Sequence, residues 1–394
     1  MPRVAPFVAL RYDSAVAGPL DRLTAPPYDV ISDSRRRSYL DSSAQNIVHV
    51  DLAEGSPDPE AADSRYAAAA GLLHDWRVRG VLRPAGPAYF AHEFRFTLEG
   101  RRRSVRGVLC AMDLEPLGDG VLPHEETMPG PIEDRLRLLR ATGTHLSAIY
   151  GTVAGPCEQL AELLDRTTEQ EPLAAVTDRE GVDHRLWQVP AEAPVGSWLA
   201  SEPLLIADGH HRYTTALAYR DERHAEAGPG PWDRILTLVV DAGTQDVPVL
   251  PYHRVQTEGD PPPDGDPVAD LASALAVLDD AALRFGTVAA VRGGVEYRIH
   301  TLHGSPPTVE ALHEQLLDAL APGDGLRFTH DAEDADEVVR TGQARVAYLL
   351  PPTTPERIRA VVDRGGRLPR KSTFFWPKPR TGMVLMPLDG SQPD

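Results

Sequence analysis

Apolar residues in this chain recur at two spacings, one helical and one alternating, and the switches between them mark out its elements. In PEAADSRYAAAAGLLHDWRVRG, residues 59–80, Ala69, Leu72, Leu73 and Trp76 fall at helical spacing and Gly80 supplies a stop, which predicts a long helix. PAYFAHEFRFTL and RRRSVRGVLCAMDLE then alternate, rich in aromatic and β-branched residues, and Glu99–Gly100 between them predicts a β-hairpin. PIEDRLRLLRATG predicts a helix with Pro131 in its first turn, Glu133 and Asp134 at the positive end and Gly143 as the stop. Strand-like HLSAIYGTV, DHRLWQVP and PLLIAD alternate with the helical EQLAELLD and HRYTTALAYRDERHAEAG. Short amphipathic helices near 268–277 and 308–320, a strand RVAYLLPP, a helix PERIRAVVD and a strand TFFWPK complete the chain. The pattern is that of an α+β fold, a mixed α/β arrangement.

At 394 residues the chain exceeds the usual size of one core, so several modules are expected. The stretch 256–267, with three consecutive prolines, is the best candidate for an exposed linker, and a long surface loop would look identical. It separates a segment 256–394 from a core at 105–255, with an N-terminal α/β segment at 1–104. The 37 prolines and 32 glycines predict many turns, and no internal repeat is visible. In LTAPPYDVIS two prolines force extended backbone before Tyr28 and Asp29.

Charge removes several function classes. The net charge is -18, spread along the chain, and such a field repels a phosphate backbone, so no nucleic-acid partner is expected. The two cysteines, Cys110 and Cys157, belong to no zinc pattern and fit a reducing compartment. The N-terminus lacks a signal-peptide pattern and no stretch approaches 18 uninterrupted apolar residues. A cytoplasmic protein without a membrane partner is therefore expected.

The densest polar cluster is ADGHHRYTTAL, residues 207–217, where the apolar LLIA runs into Asp208, Gly209, His210, His211 and Arg212 and a helix begins at once. A strand-to-helix turn points backbone N–H groups from the positive end of a helix, and an arginine fork beside it suits a phosphate. Gly209 permits close backbone approach, and the histidines can donate to phosphate oxygens. A helix cap explains Asp208 alone, but not two histidines and an arginine in the same turn. Adjacent His210 and His211 point apart, against the spacing a metal needs, so no metal ligands are expected here. A second cluster, PHEETMPGPIEDR at 123–135, offers Glu125 or Glu126, beside His124, as a general base or as a ligand for a divalent ion; spacing does not rank the two glutamates, and an ordinary surface loop would look the same.

RKSTFFWPKP contains Lys371 and Lys378, the two lysines of a chain that otherwise uses arginine. GGRLPRKS has the outer spacing of a phosphate-binding P-loop, but Arg370 occupies the place of its last glycine and a strand follows, so that reading is rejected. A compact ammonium that a planar guanidinium cannot replace, for example against a phosphate in a tight pocket, accounts for retained lysines, with Ser372 and Thr373 as added donors.

Taken together, APPYDVIS (25–32), PHEETMPGPIEDRLRLLRATGTHLSAIYG (123–151), IADGHHRYTTALAYRDE (206–222), PYHRV (251–255) and KSTFFWPKPRTGMVL (371–385) resemble the bacterial and archaeal family called domain of unknown function 1015. Its DGHHR turn is similar to the phosphate-gripping box of the ParB and sulfiredoxin superfamily, in which free serine kinases carry such a turn plus an upstream catalytic glutamate. The resemblance implies a ParB/sulfiredoxin-like core with N-terminal and C-terminal extensions, and a kinase using ATP or ADP with Mg²⁺ to phosphorylate a small hydroxy amino acid, serine foremost. It places Glu125, Asp208 and His210 in catalysis, and Gly209, His211 and Arg212 on the phosphates. In that picture Lys371 and Lys378 would neutralise charge developing on the transferred group, with Ser372 and Thr373 as extra donors, and Asp208 would assist Mg²⁺ or orient the histidines. Sulfiredoxin's cysteine corresponds to His210 here, so reduction of oxidised cysteine is not expected, and the DNA-binding helical domain of ParB has no counterpart. The alternative is a nucleotide-binding switch that transfers nothing.

Overall fold

The computed structural model describes residues 2–54, 63–127, 129–200, 202–283, 288–303, 308–317 and 325–392. Contacts divide the chain into two compact units, one formed by Met1–Pro123, Thr127–Val247 and Pro377–Asp394, the other by His124–Glu126 and Pro248–Trp376.

The first unit is built on a ten-stranded sheet. Its strands are β1 (Val4–Ala5), β2 (Phe7–Tyr12), β3 (Leu82–Leu98), β4 (Arg101–Asp113), β5 (Val121–Leu122), β6 (Ile149–Val153), β7 (Ala174–Thr177), β8 (Asp183–Pro190), β9 (Leu204–Asp208) and β10 (Arg234–Asp241). Their order is β5-β9-β6-β10-β4-β3-β8-β7, with β1 on β4 and β2 on β3. Two pairs are parallel, β5 with β9 and β6 with β10, and the others antiparallel. The α+β class expected from the pattern is therefore what forms.

The expected hairpin is β3–β4, with Leu98 opposite Arg101. Glu99 and Gly100 between them have φ of 50° and 71°, the doubly left-handed turn whose twist matches that of its strands. β3 begins at Leu82, earlier than alternation marks, because residues 82–88 also pair with β2. The boundary expected at 104/105 therefore falls within β4, a strand held on both sides by the same sheet.

Helices cover the sheet. Four matter here: α1 (Ser64–Val78), α2 (Pro129–Thr142), α3 (Glu158–Thr168) and α4 (His210–Ala227). The expected start of α1 at 59–62 lies outside the described residues. Tyr213 and Ala216 of α4 and Leu160 and Leu164 of α3 pack with Val108, Ile149, Leu204 and Val239 of the sheet in one core. A second core joins Tyr66, Leu73 and Trp76 of α1 to Leu138 of α2, Tyr39, Val48, Val50 and Leu10. Cys110 and Cys157 are both free and buried. No helix among the described residues is long and apolar enough to cross a membrane.

The second unit carries a six-stranded sheet, with Val346–Leu349 between Val288–Gly293 and His253–Gln256. Ala274, Leu278, Ala335, Val339, Ala347 and Leu349 form its core. The stretch expected as a linker belongs inside this unit: Asp266–Val268 pairs with Glu296–Thr301, and Arg345 holds Asp260 at 2.9 Å. The helix expected near 268–277 runs instead from Leu271 to Leu283, its start delayed by that strand. The one at 308–320 forms at Thr308–Leu312 and continues as a π turn to Leu317; residues 318–320 are outside the described set.

Candidate functional site

In the first unit β9 delivers Asp208 to the sheet edge and α4 starts two residues later. Gly209 is the N-cap residue, with φ 99° and ψ 26°, and no side chain caps the helix. The first bond of the helix runs from the Tyr213 N–H to the Gly209 carbonyl at 2.9 Å. The N–H groups of the preceding residues therefore have no acceptor within the helix itself, and they point from its positive end.

Asp208 is thus not a cap; it is the centre of an ion cluster. Its Oδ2 accepts from Arg212 Nη2 at 2.6 Å, and its Oδ1 accepts from Lys378 Nζ. Lys378 also approaches Asp29 Oδ2 at 3.4 Å. Arg212 spreads its fork further, donating through Nη1 to Ser147 Oγ at 3.0 Å and to the Ala148 carbonyl. Lys378, Arg212 and Asp208 are nearly buried, with side chains 7%, 11% and 12% exposed. Two cations and two carboxylates balance formally, so the helix start, with its positive end, sets the sign this place presents. Next to Asp29, the Tyr28 phenol is pushed up to about 12, chiefly by burial and then by Asp29 itself.

Lys378 reaches this place because the C-terminal segment threads back through the first unit. Ala25 and Thr381 exchange backbone hydrogen bonds at 3.2 and 2.8 Å, Gly382 donates to the Leu146 carbonyl at 3.2 Å, and Leu385 pairs with Leu10. The Ala25–Thr381 bridge sets Asp29 and Lys378 alongside each other. His210 is buried and His211 partly exposed on the first turn.

In the second unit Glu125 sits in a nest of backbone. Its Oε1 accepts from the N–H groups of Ser372 and Thr373 at 3.0 and 2.8 Å and from Thr373 Oγ1 at 2.9 Å. Its Oε2 accepts from the Lys371 N–H at 3.2 Å. Three successive N–H groups converge because Lys371 has φ 56°, a left-handed value that turns the chain around the carboxylate. His124 Nε2 lies 2.6 Å from Thr373 Oγ1, and the Lys371 ammonium stands 5.3 Å from the centre of the Tyr252 ring. The buried Arg254 guanidinium is drawn down to about 9 by loss of solvent, against the opposing effect of Glu125.

Of the residues singled out in the sequence, Asp208, Gly209, His210, His211, Arg212 and Lys378 belong to the first cluster, and Glu125, Lys371, Ser372 and Thr373 to the second. Asp29, Ser147 and Arg254 are the members that residue patterns did not single out. Asp29 had a signal in its proline-fixed APPYDVIS segment, whereas Ser147 and Arg254 sit in ordinary strand-like sequence. Among the described residues no group of three or more His, Cys, Asp or Glu is placed to hold a metal ion. Both Asp208 oxygens are engaged by cations, so this carboxylate does not fit as a ready Mg²⁺ ligand.

Comparison with solved structures finds a free serine kinase in complex with AMP, at 15% identity and TM-score 0.38, covering 69% of this chain and 90% of the other. A conserved hypothetical protein from Pyrococcus furiosus matches at 15% identity and TM-score 0.35, over 69% of this chain and 93% of that one. SbnI with a C-terminal truncation from Staphylococcus aureus matches at 12% identity and TM-score 0.36, over 71% and 87%. No curated protein matches the chain. A family model does match, over residues 4–319, which contain every element from the first strand to the DGHHR helix and beyond, and the chain accordingly belongs to the family described as protein of unknown function (DUF1015).

Proposed function

We propose that this protein is a nucleotide-dependent kinase that transfers a phosphoryl group from ATP or ADP to the hydroxyl of a free amino acid, serine foremost. The observation that carries the reading is the start of α4. There an uncapped, left-handed Gly209 opens a helix whose first turn is flanked by two nearly buried cations, Arg212 and Lys378. Such a turn suits a nucleotide's phosphates, which take backbone N–H groups and a charged fork together.

In this reading His210 and His211 add donors to the phosphates and Asp208 orients the two cations. Mg²⁺ would arrive on the nucleotide's own oxygens, because Asp208 is already engaged. Lysine is retained at 378 because a compact ammonium bridges two carboxylates from different segments, a task that a planar fork meets poorly. Glu125 enters as proton acceptor through its motif. Both oxygens of that carboxylate are occupied by backbone N–H groups, which it would have to give up to accept a proton from an acceptor hydroxyl. That geometry favours the second reading, a nucleotide-binding switch in which Glu125 only anchors the Lys371–Thr373 loop.

Phosphorus NMR of the protein with Mg²⁺ and ATP or ADP, across free amino acids and hydroxy acids, tests the proposal. A new phosphomonoester signal that requires an acceptor, and that Glu125→Gln abolishes while nucleotide still binds, is the expected result. Nucleotide binding without transfer to any acceptor would leave the switch; absence of nucleotide binding would overturn both readings.

A further inference from the structure

The charged cluster at the start of α4 rests on a second, deeper set of charges that its own motif does not contain. Arg135 of α2 is buried, its side chain 8% exposed, and donates through Nη1 to both the carbonyl and Oδ1 of Asp51 at 2.9 and 2.8 Å. Its Nε and Nη2 grip Asp134 Oδ2 at 2.8 and 2.6 Å. With its edges so occupied, the guanidinium turns a face to the Tyr28 ring, 4.4 Å from the ring centre. Tyr28 begins the short 3-10 turn Tyr28–Val30, which carries Asp29 as its next residue.

A cavity of about 50 Å³ lies within this network, lined by Tyr28, Asp51, Arg135, Ser147 and Arg212 among others. It has room for a few water molecules at most. Arg135 and Arg212 therefore face one small space, and the turn that holds Asp29 is packed on the first of them.

We propose that Arg135 is a positioning residue: by stacking on Tyr28 it fixes the 28–30 turn, so that Asp29 holds Lys378 against Asp208 at the helix start. Burial of the pair is unusual for a merely local link, because a buried arginine needs partners on every edge. Here Asp51, Asp134 and the Tyr28 face meet that need. Asp51, buried, is pushed upward by loss of solvent while Arg135 and, more weakly, Arg212 pull it back, so the two guanidiniums are felt at one carboxylate. The inference rests on the nucleotide reading only for its consequence in binding; the positioning itself is a property of the free protein.

The chain's two lysines make that property directly measurable. Protein labelled with ¹³C at the lysine ε carbon gives two signals, one from Lys378 and one from Lys371, and Lys378→Arg assigns them. Tyr28→Leu removes the stacked ring without stranding a buried charge. Arg135→Lys keeps the charge beside Asp51 but loses the planar face and the fork. Both should move the Lys378 signal and leave that of Lys371 in place, and Tyr28→Phe, which keeps the ring, should restore it. ADP affinity measured by calorimetry should weaken about tenfold in the first two variants and recover in the third. A Lys378 signal unmoved by Tyr28→Leu, in a protein that keeps its melting temperature, would overturn the positioning role even if Arg135→Lys proved too unstable to study. Signals that move as expected in a protein that binds no ADP would overturn the nucleotide reading and leave the positioning intact.

Discussion

Gly209→Ala is the sharpest perturbation of the turn, because the cost can be worked from two observations. The residue sits at φ 99°, where an L side chain costs about 1–2 kcal/mol. An added Cβ would also lie 2.8 Å from Ile149 Cγ2 and 3.1 Å from Arg212 Nη2. Ile149 is wholly buried in a central strand, so its contact is relieved only by a shift of the turn or strand, and the Arg212 contact by that side chain moving away from Asp208. Overpacking of that kind costs roughly a further 1–3 kcal/mol. The sum, about 2–5 kcal/mol, corresponds to a fall in melting temperature of about 5–15 °C for a unit of this size. Differential scanning calorimetry would measure it, with Gly130→Ala as control, a helical position where an added Cβ meets nothing within 4 Å. Calorimetric titration with ADP should show lost affinity in Gly209→Ala alone. A Gly209→Ala protein that melts within about a degree of the parent and binds ADP equally well would refute the close-packed turn.

Three further outcomes are expected. Asp208→Asn leaves Arg212 and Lys378 facing one another with their shared counter-charge removed, and should cost about 3 kcal/mol in urea unfolding, in line with a broken, nearly buried pair. Glu125→Gln puts an amide NH₂ where a carboxylate oxygen accepts from the loop at 371–373, and should destabilise the second unit by about 1–3 kcal/mol, read by proteolysis of that loop. Burial pushes His92 and His184 below the usual 6.5, and takes His145 down to about 4. The unfolded chain therefore binds protons at these sites as pH falls through 6.5 while the folded chain does not, so stability is greatest above 6.5 and declines below it, for His145 until about pH 4. Urea midpoints taken between pH 7.5 and 4.5 should fall accordingly, with a shallower fall in His145→Gln; a flat profile would contradict the assignment.

The hairpin at 99–100 and the helix α4 were legible because each carries its own punctuation, a pair of left-handed turn residues and a glycine before a helix; α2 was legible as a helix, but it starts at Pro129, so the acids expected in its first turn lie beyond it. The module boundaries were not. Three prolines in a row have the composition of a linker, yet Asp266–Val268 pairs into a sheet, and pairing partners 30 residues away leave no local mark. The clean break expected at 104/105 failed for the same reason, since β4 is bound by strands from both directions along the chain.

At the site, the sequence by itself determined the chemistry of the turn: a glycine able to take a left-handed cap, histidines, an arginine, and two lysines retained where all other basic residues are arginine. Tertiary structure decided what those charges do. Asp208 could have capped its helix, but Lys378, brought 170 positions along the chain by the Ala25–Thr381 bridge, and Arg212, one turn away, take both its oxygens. Glu125, equal to Glu126 by spacing, is distinguished by three N–H groups that converge only once the chain at Lys371 turns left-handed. Conformational preference and periodicity act over a few residues and can be read in order, whereas the pairing of buried charges depends on which distant segments share a space from which water is excluded.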